Sequence, residues 1–208
     1  MEDITTNMPE PILTERFDAA LAYASGAHRE QVRKGSFIPY VSHLLGVASI
    51  ALENGADEDQ AIAALLHDAV EDQGGIKRLE DICARFGDRV ANMVADCTDD
   101  LEGTKTAVST PSEKKREWRE RKKRYIASLS QKPPASLEVS LADKIHNAAA
   151  INTDLRALGE AVWSRFTGGK VGTLWYYSAL ADAFGGIIPG RASERFCREV
   201  DEMNELSL

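Results

Sequence analysis

Two histidines and four carboxylates in this chain stand in an order that suggests a bound cation. His43 lies in an apolar run, His67-Asp68 follow Ala63-Ala64-Leu65-Leu66, Glu71-Asp72 come one turn later, and Asp143 sits in Leu141-Ala142-Asp143-Lys144. Taken singly, each reads as a hydrogen-bonded core histidine or a solvated acidic helix end. In combination they are harder to dismiss. On one helix running from Asp57 to Gly74, a rotation of about 100° per residue makes His67 with Glu71, and Asp68 with Asp72, i,i+4 pairs. An imidazole and three carboxylates then crowd two adjacent stripes directly after a buried-looking run. Such carboxylates repel one another and resist desolvation unless a cation compensates. A divalent metal would do so, and a mixed histidine and aspartate set suits Mn²⁺, Fe²⁺ or Zn²⁺, with nothing in the spacing to choose between them.

The elements that must position these groups read as helices throughout, and no stretch alternates apolar and polar residues long enough to form a sheet. An all-α protein is expected. Phe17, Leu21, Ala24 and His28 mark one amphipathic helix from Thr14 to about Val32, and Gly35 and Pro39 break the period before the next, which ends at Asn54-Gly55. Asp57 followed three residues later by Gln60 has capping-box spacing. Further helices are expected at about 79–86, 89–98, 112–129, 136–158, 172–184 and 191–205, with a polar loop at about 102–112. Residues 1–11, which carry Pro9 and Pro11, read as a flexible leader before a single domain over 12–208.

The 208 residues carry 25 basic and 33 acidic side chains, a net charge of −8. That balance disfavours whole-chain disorder and a surface built for a nucleic acid polymer, which needs clustered Lys and Arg. No run approaches the roughly 18–20 continuous apolar residues of a membrane span, and Met1-Glu2-Asp3-Ile4 lacks the basic and apolar regions of a signal peptide, so a cytoplasmic protein is expected. Cys83, Cys97 and Cys197 are odd in number, far apart and in no CxxC spacing, which fits reduced thiols. One segment runs against the net charge: Ser112 to Arg124 holds eight basic residues against three acidic. It could draw a small anionic ligand toward a pocket, or serve only as a solvated face.

Three stretches in order carry a family resemblance: His28…Gln31-Val32-Arg33-Lys34-Gly35-Ser36…Pro39-Tyr40-Val41-Ser42-His43, then Ala63-Ala64-Leu65-Leu66-His67-Asp68-Ala69-Val70-Glu71-Asp72, then Leu141-Ala142-Asp143-Lys144-Ile145-His146-Asn147. Spread over roughly residues 14–185, they resemble the HD-type hydrolase domain of the RelA/SpoT proteins and are most similar to the small alarmone hydrolases. The resemblance implies a compact multi-helix HD bundle with a metal site between helices. It makes His43, His67, Asp68 and Asp143 the metal ligands, with Mn²⁺ the usual ion, and Glu71 and Asp72 the catalytic acidic pair. Arg33 and Lys34 would embrace the nucleotide and Asn147 would lie near the ribose.

The implied reaction removes pyrophosphate from the 3′ position of (p)ppGpp. No span of 208 residues accommodates a nucleotide-synthesising domain besides, so hydrolysis without synthesis is expected. Departures from the family pattern after His43 and after Asp72, together with Ala150 and Thr153 beyond Asn147, leave adenosine analogues such as ppApp open as substrates. The alternative is another HD phosphohydrolase, an NADPH 2′-phosphatase or a nucleotidase, sharing the metal site and differing in the base pocket. Arg165, Gly168, Gly169 and Lys170 could add phosphate contacts, and Leu174-Trp175-Tyr176-Tyr177 reads as core.

Overall fold

Ten α-helices and two short 3₁₀ segments make up the computed structural model, which describes residues 13–98 and 110–208 and contains no strand among them. The expected leader and most of the expected polar loop lie outside the described residues. Several helices begin at a side-chain cap or at a proline, which has no amide to satisfy. The Thr14 hydroxyl accepts the Arg16 amide to start α1 (Glu15–Ala27). After α2 (Val41–Glu53), Asp57 and Gln60 exchange two 3.0 Å hydrogen bonds as the expected capping box of α3 (Glu58–Leu66). Thr110 and Glu113 form a second box, not anticipated from sequence, at the head of α7 (Pro111–Ser128). Pro133 and Pro134 open α8 (Pro134–Leu158), which stops at Gly159 in the left-handed region, φ +56°.

The structure corrects one expectation that matters for chemistry. The helix anticipated from Asp57 to Gly74 is two helices, α3 and a short α4 (Ala69–Gln73), with His67 and Asp68 at the junction. Neither Gly nor Pro is needed for the break. The His67 imidazole takes the Ala64 carbonyl at 2.8 Å, the acceptor that a continuous helix would offer to the Asp68 amide. His67 and Asp68 both keep right-handed helical backbone at the junction, and His67 Nε2 stands 3.0 Å from Asp68 Oδ2. The helices α5 (Gly75–Phe86) and α6 (Asp88–Cys97) follow, then α7 and α8, α9 (Gly169–Ile187) and α10 (Arg191–Glu205).

At the centre lie α3 and α8. Every residue of α3 from Gln60 to Leu66 is buried, and its alanines let α1, α2, α6 and α8 approach closely. The 25-residue α8 contacts α2, α3, α6 and α10, and α10 also packs on α9. The basic α7 docks on α9 through its own side chains. Trp118 lies against Gly168 and Gly172, where a Cβ would stand 2.6 Å and 3.1 Å from the indole, while Arg119 covers the Trp175 ring at 4.0 Å and Lys122 the Tyr176 ring at 4.8 Å. No helix among the described residues is long and apolar enough to cross a membrane.

Candidate active site

At the junction after Leu66, His67 and Asp68 face His43 on α2 and Asp143 on α8. His43 Nε2 stands 3.4 Å from Asp68 Oδ2 and 3.2 Å from Asp143 Oδ1, and His67 Nε2 stands 3.0 Å and 3.5 Å from the same two oxygens. Both Nε2 atoms are buried, yet neither forms a hydrogen bond. Two imidazole nitrogens and two carboxylate oxygens therefore converge from three places in the chain, and the donor atoms of His43, His67 and Asp68 lie within 4.8 Å of one another. Orphaned buried polar atoms are rare in native proteins, and this donor set fits a divalent cation.

Each of the four groups has a further hydrogen-bond partner. His67 Nδ1 donates to the Ala64 carbonyl, so the neutral ring carries its lone pair on Nε2. His43 Nδ1 meets Nδ1 of His146 at 2.9 Å. The Tyr40 hydroxyl donates to Asp68 Oδ2 at 2.6 Å, the Lys144 ammonium to Asp143 Oδ2 at 2.7 Å, and the Asn147 amide to Asp143 Oδ1. Electrostatics follows the geometry. Burial alone would neutralise His67, but Asp68 beside it and Asp143 opposite hold its pKa well above the usual histidine range. Burial disfavours both carboxylates too, and it is outweighed by His67 and His43 at Asp68, and by Lys144 and the same histidines at Asp143, so both stay far below the ordinary aspartate value. Burial, then the neighbouring His43, push His146 down to about 4.

Beside this cluster opens a cavity of about 570 Å³, lined on one side by Arg33, Lys34, Tyr40 and Asn147 and on the other by Trp118, Arg121, Lys122, Tyr176 and Tyr177. Tyr40 and Asn147 thus face the cavity while bonding to Asp68 and Asp143, so the cluster lies directly behind this part of the cavity lining. Arg33 donates to Asn147 Oδ1 at 2.8 Å, which joins two residues anticipated from sequence. The acidic pair stands apart from the cavity. Glu71 is half-buried in the first turn of α4, and the exposed Asp72 accepts Gln31 Nε2 at 2.7 Å. The Gln31 carbonyl is engaged in turn by His28 Nδ1 at 2.7 Å and Gln73 Nε2 at 2.8 Å, which fixes the direction of its amide.

Of the second phosphate-binding loop anticipated from sequence, Arg165 reaches the cavity and Lys170 does not, being paired with Glu160. Arg165 is tied to Asp154 at 2.5 Å and lies across Gly35, whose φ is +74°. A Cβ there would stand 2.5 Å from Arg165 Nε. Gly35→Ala is therefore expected to cost about 1–2 kcal/mol in denaturant unfolding from the left-handed backbone alone, and to raise KM by displacing a cavity cation. An unchanged KM would place Arg165 outside substrate binding. Tyr40, Gln31, Lys144 and His146 carried no role in the sequence reading. The signal for three of them is spacing: Tyr40 is one turn before His43, and Lys144 and His146 follow Asp143 by one and three residues.

A family model described as an HD domain matches residues 20–174. A mouse (Mus musculus) protein named guanosine-3′,5′-bis(diphosphate) 3′-pyrophosphohydrolase MESH1 is 32% identical over 136 residues, 64% of this chain and 68% of that protein. The protein of the same name from Xenopus tropicalis is 38% identical over 155 residues, 71% of this chain and 76% of that one. Among solved structures, one described as a metazoan ortholog of SpoT that hydrolyses ppGpp superposes with a TM-score of 0.68 at 26% identity, covering 92% of this chain and 95% of that one.

Proposed function

From the premise that this chain belongs to the HD-domain family, and within it with the small pyrophosphohydrolases it resembles, we propose that it removes the 3′-pyrophosphate of ppGpp and pppGpp in a metal-dependent reaction. The observation that carries the proposal is the convergence of His43, His67, Asp68 and Asp143 directly behind the lining of a cavity edged by Arg33 and Lys34. Those four residues would hold the ion, which we take to be Mn²⁺. When bound, it supplies Lewis acidity toward a phosphoryl oxygen and lowers the pKa of water.

The chain's own residues do the rest. Glu71 accepts the proton of the attacking water, and Asp72, clamped by Gln31, orients that water. Arg33 and Lys34 bind phosphate oxygens, the first as a fork and the second as a point charge. Asn147, held by Arg33 and Asp143, positions the ribose. Arg121, Lys122 and Arg165 neutralise the remaining phosphates, and Trp118, Tyr176 and Tyr177 shield them from water. A cytoplasmic location suits a nucleotide substrate and three cysteines present as free thiols.

The test incubates the purified protein with Mn²⁺ and, separately, ppGpp, pppGpp, ppApp and NADPH. Pyrophosphate from the guanosine alarmones is expected. Its absence from every alarmone, with orthophosphate from NADPH instead, would replace this reading with a 2′-phosphatase. The metal reading has its own signature. Because Asp68 and Asp143 raise the His67 pKa, the metal-free protein keeps that proton at neutral pH, and a cation at Nε2 must displace it. The imidazolium interaction stabilises the metal-free fold below the unfolded histidine pKa and is lost as pH rises through the raised folded value. Mn²⁺ affinity should therefore increase with pH, with about one proton released per ion in calorimetry across buffers of different ionisation heat.

A further inference from the structure

We infer that His146 is a positioning residue that fixes the tautomer of His43, and that Gly46 lacks a side chain to make room for it. The inference rests on the metal reading above. The two histidines at the site are supported differently. His67 donates Nδ1–H to a backbone carbonyl, which can only accept, so its neutral ring has a single tautomer, with the lone pair on Nε2. Among the described residues, the one side-chain hydrogen bond of His43 runs to another imidazole, Nδ1 to Nδ1 at 2.9 Å with ring centroids 4.8 Å apart. Such a pair shares one proton. If His146 donates, His43 carries its own proton on Nε2, where it would block a cation. If His146 accepts, with its proton on Nε2, His43 donates from Nδ1 and turns a bare Nε2 toward Asp68 and Asp143.

Gly46 supplies the second observation. It lies on α2 one turn after His43, with no left-handed backbone to demand glycine. In a helix interior glycine costs about 1 kcal/mol relative to alanine. What the position demands is space: a Cβ on Gly46 would overlap Cδ2 and Nε2 of the His146 ring. The residues at 43, 46 and 146 therefore form one device across the contact of α2 and α8.

Metal affinity tests the device without substrate, which matters because His146 also borders the cavity. The disappearance of the free Mn²⁺ electron paramagnetic resonance signal would be followed for the full-length protein and for His146→Asn, His146→Leu and Gly46→Ala. Asparagine keeps an acceptor near the Nδ1 position, whereas leucine has similar volume and none. His146→Leu and Gly46→Ala should weaken Mn²⁺ binding about 10–100-fold, while His146→Asn stays close to the unaltered protein. A merely structural role would affect asparagine and leucine alike, so equal affinities in those two variants overturn the inference. So does Gly46→Ala binding like the unaltered protein, a comparison that stands even if His146→Leu fails to fold. An unaltered protein that binds no Mn²⁺ would overturn the metal reading itself, and the positioning role with it.

Discussion

Glu71→Gln is expected to lower kcat for pyrophosphate release by about 10²–10⁴-fold while Mn²⁺ stays bound and KM hardly moves. The substitution keeps size and hydrogen-bonding capacity and removes only the ability to take a proton at neutral pH. Glu71 is half-buried in the first turn of α4, immediately after the junction that presents Asp68, so its position follows from that of a proposed metal ligand while its side chain need not be one. Pre-steady-state release of pyrophosphate measures the chemical step directly. A kcat within a few-fold of the unaltered protein would transfer the proton to another group, with Asp72 the next candidate. There Gln31 limits the effect of substitution: in Asp72→Asn it still donates to the amide oxygen, so the geometry should survive and the charge alone be lost.

His67→Ala should eliminate stoichiometric metal, and activity with it. The consequence goes beyond one missing donor. Asp68 and Asp143 remain ionised in their buried setting chiefly because His67, His43 and Lys144 compensate them. Without His67, the two carboxylates keep their mutual repulsion and lose a counter-charge, so one of them should take up a proton more readily and become a poorer ligand. Elemental analysis after gel filtration would report the loss. Metal content unchanged from the unaltered protein would remove His67 from the ligand set and leave its Ala64 hydrogen bond as a purely architectural link between α3 and α4.

Much of the helical framework is legible in the residue order, because helix starts and stops depend on local chemistry. The Asp57–Gln60 box, Pro133-Pro134 and the terminal helix Arg191–Glu205 all fall where short-range signals put them. The His-Asp pairs and their motif spacing likewise mark the candidate metal residues. The reading fails where a tertiary contact overrides periodicity. Nothing in Leu65-Leu66-His67-Asp68 breaks a helix by propensity; the His67 ring does so by taking a backbone carbonyl. Gly46 gives no local reason for being glycine until α8 lays an imidazole over it. The basic helix could be solvated or ligand-facing by sequence, and its docking on α9 divides it: Arg119 and Lys122 sit on aromatic rings, with Arg121 and Lys122 at the cavity.

The sequence by itself therefore determined an all-α chain, its candidate metal-binding residues and its family, since these depend on residue identity and on spacing within a turn or two. Only the tertiary structure decided which nitrogen of each histidine faces the carboxylates, which cations border the cavity, and that the acidic pair stands to one side of it. Those are relations between helices far apart in the chain, set by how buried faces pack, and no local preference encodes them.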